Sequence, residues 1–267
     1  MVAVALIFAA CDGDSGNNGT GTESGRSSSG EIFSSGGQLS GFSSSSDLSS
    51  VNTSSSSSIA VCSNVYGTNT VTDCRDGRIY KTVAIGTQTW MAENLNYADS
   101  LAMSNLKGNS WCYENSVDSC AKYGRLYTWT GAMNLASSYQ SEWASSVIST
   151  PQQGVCPTGW HVPTDAEWTT LVDYLGGFRT AGAVLKSTGR WNEDGNGTDA
   201  YGFLALPAGK RDYDGDFGGG GYYAYFWCAP ENGAFYAYYR FLSHDSAYMG
   251  LDNTNKYHAF SVRCVKD

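Results

Sequence analysis

The chain from Ile59 onward predicts an α+β domain, and three observations carry that prediction. Thr164-Asp-Ala-Glu167 is a capping box, in which hydroxyl and carboxylate each take an orphan backbone N–H at a helix start. Residues 203–206, 222–227 and 236–241 are short aromatic-rich runs that suit strands. In the closing segment Phe260, Val262 and Cys264 alternate with Ser261 and Arg263, the pattern of a half-buried strand with its cysteine facing inward.

The elements follow in order. Residues 79–85 and 88–91 flank Gly86-Thr87 and read as a hairpin with a tight turn. Leu126, Trp129, Thr130 and Met133 fall at helical spacing, so a short helix is expected over 123–133. The clearest helix starts at Thr164, with Pro163 just outside. Trp168, Leu171, Val172 and Leu175 lie on one face of it, and Gly176-Gly177 ends it in the left-handed conformation glycine tolerates. Trp168 sits on that apolar stripe, so it and Trp160 are expected in the core rather than on a sugar platform. Beyond this helix come short strands and long glycine-rich loops.

The 267 residues carry a net charge of -9. Such a surface repels a phosphate backbone, so nucleic acid is not expected as a partner. Residues 2–10 form an apolar run too short to span a bilayer, and it closes on Phe8-Ala-Ala-Cys11. Residues 1–10 are therefore expected to be a lipoprotein-type signal, with Cys11 lipidated as the mature N-terminus. The usual basic start is missing, which points to a truncated signal. Asp12 after Cys11 leaves the choice of membrane open. Residues 11–58 are rich in Ser and Gly with few apolar side chains. They are expected to stay disordered, as a tether holding the folded domain, residues 59–267, away from the outer membrane or cell surface.

The chain has eight cysteines. Setting Cys11 aside, an exported chain makes the rest disulfide candidates. Cys62 and Cys74, and Cys112 and Cys120, are close neighbours flanking turn-like residues. Cys156 with Cys264 would tie the middle of the domain to its last strand. Buried free thiols are the alternative. A zinc site is disfavoured, because no Cys-x-x-Cys occurs and only three histidines are present.

Four blocks occur in order: Lys81-Thr-Val-Ala-Ile-Gly-Thr-Gln-Thr-Trp-Met-Ala-Glu-Asn-Leu-Asn-Tyr97, Tyr123-Gly-Arg-Leu-Tyr-Thr-Trp129, Gly154-Val-Cys-Pro-Thr-Gly-Trp-His-Val-Pro-Thr-Asp-Ala-Glu-Trp168 and Phe260-Ser-Val-Arg-Cys-Val-Lys-Asp267. Together they resemble the Fibrobacter succinogenes major paralogous domain, a family of bacterial surface and secreted proteins, over residues 62–267. The resemblance implies a C-type-lectin-like fold, in the variant shared with the formylglycine-generating enzyme: loop-rich, with short strands, two main helices and disulfide braces. It implies no particular reaction. Relatives more usually carry a small polar residue after the tryptophan of Phe226-Trp-Cys228, which makes Cys228 the candidate free thiol.

Candidate chemistry is sparse. Asp194, Asn196 and Asp199 in one glycine-rich loop, and Asp212, Asp214 and Asp216 in another, could offer oxygens to Ca2+. The alternative is solvated turns. Neither loop carries the Glu-Pro-Asn or Gln-Pro-Asp of many sugar-binding C-type lectins. Tyr213 and Tyr222 are candidate sugar contacts, whereas Tyr223 and Tyr225 are expected in the core. The paired cysteines of the formylglycine-generating enzymes are absent, Cys228 standing alone. Glu167 is explained by its cap, and His161 reads as a buried, satisfied histidine. The expected role is a non-catalytic, lipid-anchored module binding polysaccharide or another surface protein. A cysteine- or carboxylate-dependent enzyme and a structural coat component are the alternatives.

Overall fold

The computed structural model describes residues 62–267. The expected signal over 1–10, the lipidation site Cys11 and the tether over 11–58 lie outside the described residues.

The strands are β1 (Val65–Gly67), β2 (Thr70–Thr72), β3 (Ile79–Ile85), β4 (Gln88–Met91), β5 (Ser110–Trp111), β6 (Leu126–Thr128), β7 (Trp160–His161), β8 (Ala208–Arg211), β9 (Phe217–Gly220), β10 (Tyr223–Glu231), β11 (Tyr236–Ser243), β12 (Met249–Asn255), β13 (Ala259–Ser261) and β14 (Val265–Lys266). The helices are α1 (Val117–Tyr123), α2 (Trp129–Met133), α3 (Asp165–Tyr174) and α4 (Ala181–Leu185). One sheet runs β1-β2-β3-β4-β14-β7 and the other β12-β11-β10-β8-β13-β6-β5, with β9 beside β8. The final residues therefore join both sheets: β13 pairs with β6 and β8, while β14 lies between β4 and β7. The architecture is α+β, mostly sheet.

Two apolar clusters form the main core. Trp129, Trp160, Trp227 and Phe260 anchor one; Trp90, Trp168, Phe203 and Phe226 anchor the other. Strand β10 separates them, sending Trp227 to the first and Phe226 and Cys228 to the second. A strand covered on both faces carries apolar residues at successive positions, as β10 does. Disulfides join Cys62 to Cys74, Cys112 to Cys120 and Cys156 to Cys264. Cys228 is unbridged and buried.

Four sequence expectations need correction. The helix expected over 123–133 is split: α1 ends at Tyr123, Leu126–Thr128 is strand β6, and only Trp129–Met133 is helical. Leu126, Trp129, Thr130 and Met133 are all buried, so their spacing marked burial, while pairing with β13 decided the local conformation. Residues 203–206 form no strand, because Leu204 takes φ 53 and breaks the extended run. Among the described residues the regular helices number four, the two main ones expected being joined by α2 and α4 of five residues each. Finally, the closing segment is not half-buried: Ser261 and Arg263, expected outward, are as buried as Phe260 and Val262. The segment runs through the middle of both sheets, so it has no wet face.

The capping box at α3 does more than start a helix. Glu167 Oε2 accepts the Thr164 N–H at 2.8 Å, and Thr164 Oγ1 accepts the Glu167 N–H at 3.2 Å. The other carboxylate oxygen, Oε1, lies 2.7 Å from His161 Nε2, and His161 Nδ1 lies 2.7 Å from Asp267 Oδ1. Burial disfavours a charged ring, but the bonds and charges of Glu167 and Asp267 outweigh it and raise the His161 pKa above 6.5. Burial likewise opposes the Glu167 carboxylate, and its bonds to His161 and Thr164 still hold its pKa below 4.5. A raised histidine stabilises the fold fully below its unfolded pKa and ceases to as pH rises through the folded one. A lowered glutamate stabilises above its unfolded pKa and ceases to as pH falls. The cluster is therefore strongest between the two reference values. Urea midpoints should fall on going from mildly acidic to mildly alkaline pH, and His161→Gln should flatten that fall. An equal fall in the variant would assign the pH dependence elsewhere.

Candidate functional site

A solvent-open concavity lies where α1 ends. Gly124 caps α1 with φ 77, and a Cβ there would meet Asn94 Cβ at 2.7 Å and Asn94 O at 2.8 Å. Only glycine both takes that angle and lets the helix end this close to the chain after β4. The asparagines of Glu93-Asn-Leu-Asn96 then satisfy the last carbonyls of α1. Asn94 Nδ2 donates to Tyr123 O at 2.8 Å, and Asn96 Nδ2 donates to Cys120 O at 2.9 Å. The disulfide from Cys120 to Cys112 braces the same helix.

Asn94 is itself fixed from below. Its Oδ1 accepts Arg263 Nε at 3.0 Å and Nη2 at 2.6 Å, and its Nδ2 also reaches Ser261 Oγ at 3.2 Å. The floor of the site is thus a buried, fully bonded network, the arrangement that holds a surface in one geometry.

Above this floor lies a cavity of about 440 Å³, lined among others by Arg78, Glu93, Asn94, Lys122, Arg190 and Leu204. A second cavity of about 500 Å³ shares Lys122, Tyr123 and Arg190 with it and extends past Tyr113, Glu114 and Asn192. Both fall in the range of about 300–1,000 Å³ typical of ligand sites. Sharing three residues, they form one groove. The glycine tract of β9 permits its far wall: a Cβ at Gly220 would meet the Tyr113 ring at 2.6 Å, and Tyr113 Oη accepts the Gly220 N–H at 3.3 Å. Three non-glycine residues with positive φ line the groove: Arg190 (φ 81), Leu204 (φ 53) and Glu114 (φ 53). Such backbone costs energy and tends to collect at functional sites.

The residues expected to bind ligands lie elsewhere. Tyr213 is 70% exposed and meets His258 edge-on. Tyr222 is half-buried, its ring perpendicular to His244 at 5.0 Å. Neither lines the groove. Asp212 lies 2.7 Å from Lys210 and 2.9 Å from His258, and Asp214 accepts the Asp216 N–H at 3.3 Å. Asn196 accepts the Trp191 N–H at 3.2 Å, Asp199 accepts the Leu204 N–H at 2.7 Å, and Asp194 is exposed. These side chains serve local turns, and among the described residues no three His, Cys, Asp or Glu groups converge as a metal site would. Burial raises the Asp199 pKa, although the Leu204 N–H and Arg263 act against it. Tyr223 and Tyr225 are half-buried, stacked on each other at 5.7 Å, with Tyr225 stacked in turn on Phe260 at 4.9 Å. Trp160 and Trp168 are buried.

Cys228 is buried and unbridged. Burial pushes its thiol well above the usual range, and the opposing influence of Arg240 does not restore it.

Sequence reasoning missed Asn94, Tyr113, Lys122, Tyr123 and Arg190. They come from four separate segments, so no spacing connects them. The available signal was Gly124 after a charged helix turn, and Arg190 following Gly189 within a turn.

Residues 83–266 match the family described as the Fibrobacter succinogenes major domain. No curated protein and no solved structure matches the chain. The match covers more than half of the sequence and contains Glu93-Asn-Leu-Asn96, α1 and Arg263, the residues that build the groove floor. The chain belongs to the Fibrobacter succinogenes major domain family.

Proposed function

We propose that this chain is an exported surface lipoprotein, anchored through Cys11, whose domain binds polysaccharide without altering it. The observation that carries this reading is the groove of two joined cavities. It is open to solvent, walled by Tyr113 and Tyr123, and floored by an asparagine held rigid from beneath. Flat phenol faces beside fixed amides suit a sugar chain, which offers apolar ring faces and hydroxyl edges. Three disulfides support export, since such bridges persist in oxidising compartments. A C-type-lectin-like fold is supported by the last strands joining both sheets and by the bridge from Cys156 to Cys264. The buried, protonated Cys228 lends no weight to a cysteine enzyme.

The test is binding of the full chain to a panel of plant and bacterial polysaccharides, with calcium and with chelator. Saturable binding that ignores chelator is expected, weakened about tenfold in Tyr123→Ala, the order of one lost aromatic contact. Binding abolished by chelator would move the site to the loops of Asp194 and Asp212. No binding to any glycan would overturn the reading in favour of a protein partner.

A further inference from the structure

We infer that the groove takes an acidic polysaccharide, one bearing carboxylates along its length; this rests on the polysaccharide reading above. The chain is acidic overall, with net charge -9. Four of its cations are paired with carboxylates: Arg75 with Asp73, Lys210 with Asp212, Arg240 with Asp165, and Lys256 with Glu231. Arg78, Lys122 and Arg190 are different. Among the described residues none of them forms an ion pair, yet all three line the groove. Unneutralised cations gathered on an acidic protein mark the place where its field attracts an anion.

Their positions select a polymer over a small ion. Arg78 lines the first cavity only, whereas Lys122 and Arg190 stand where the two cavities meet. A polymer can run through both cavities and meet the groups of each, which a single phosphate or acetate does not. A chain with a carboxylate on successive sugars meets them one after another. Arginine forks match carboxylates in two-point contact, which favours this anion at Arg78 and Arg190. Arg190 holds its place at φ 81, directly after Gly189, where glycine itself would be unstrained.

Two carboxylates also line the groove and bear on the sign. Glu93 Oε2 accepts the Lys81 N–H at 3.0 Å, and its charge acts favourably on the buried Arg263. Its field is therefore partly spent inward. Glu114 is exposed and lines the second cavity only. The first cavity is the more cationic, with Arg78, Lys122 and Arg190 against Glu93.

The experiment compares three probes on the full chain at low and at physiological salt: polygalacturonate, its fully methyl-esterified form, and a neutral glucan. Esterification keeps the backbone and removes the charge. The acid form is expected to bind at least about tenfold more tightly than the ester, one decade per 1.4 kcal/mol, and to weaken with salt. The double variant Lys122→Gln, Arg190→Gln should bring the acid form down to the ester, with Lys122→Glu as a second, exposed charge change should the pair perturb the strained turn. Thermal midpoints of both variants establish that they fold. Equal, salt-independent binding of acid and ester would overturn charge recognition and leave the polysaccharide reading standing. Binding by none of the three would count against both. Loss of binding in Trp143→Ala, with the Lys122 and Arg190 variants unaffected, would move the site to the apolar cavity of about 300 Å³ beside that 60% exposed tryptophan, and so would also overturn the inference.

Discussion

Arg263→Met is expected to lose about 3–5 kcal/mol of stability, the cost of dismantling a buried charged network from one side. Arg263 is fully buried. Its guanidinium donates to Asn94 Oδ1 twice, to Met91 O at 3.2 Å, to Leu204 O at 3.2 Å and to Phe203 O. It also lies 4.4 Å from the centre of the Phe203 ring. Burial lowers its pKa to about 9, with Glu93 and Asp199 acting to raise it, so the group stays charged at neutral pH. Methionine fills part of the space and supplies no donor. Three backbone carbonyls and one amide oxygen then lose a partner while remaining inside, and unsatisfied buried groups cost more than the bonds contributed. Arg263→Lys should fare little better, because one ammonium cannot span the fork that reaches Asn94 and three carbonyls together. Urea denaturation measures both. A Met variant within about 1 kcal/mol of the parent would show that the network contributes little net stability.

The second large effect is expected at the bridge from Cys156 to Cys264, which closes a separation of 108 residues. Loop-closure entropy assigns such a bridge about 5 kcal/mol, against about 3 kcal/mol for the separations of 12 and 8 at the other two. The double replacement Cys156→Ala, Cys264→Ala should thus lower the urea midpoint more than Cys112→Ala, Cys120→Ala. Both half-cystines of the long bridge are wholly buried, so alanine also leaves space behind. A smaller loss at the long bridge than at the short one would mean that the unfolded chain is already compact around it. The short bridge has its own readout: it braces α1, so under the proposed polysaccharide reading its removal should weaken binding more than it weakens the fold.

Local chemistry was legible wherever it is settled within a few residues. Thr164 and Glu167 form their capping box, residues 79–85 and 88–91 form their hairpin across Gly86, and the aromatic runs near 222–227 and 236–241 become β10 and β11. The corrections arose where distant partners intervened. Leu126–Thr128 is extended because β13 pairs with it, and residues 203–206 are irregular because Phe203 and Leu204 turn their carbonyls to Arg263.

The sequence by itself determined the family, the mixed α and β character, the start of α3 and the net negative charge. Those properties are carried by contiguous blocks, by a motif closed over four residues, and by a sum of charges. Only the tertiary structure decided that Ser261 and Arg263 lie inside, since alternation along a strand shows period and not whether a second sheet covers its other face. Only the tertiary structure assembled the groove, because Arg78, Asn94, Tyr113, Lys122 and Arg190 are far apart in the chain and meet where α1 ends against the segment after β4. A groove is a property of surfaces brought together, and no local spacing encodes it.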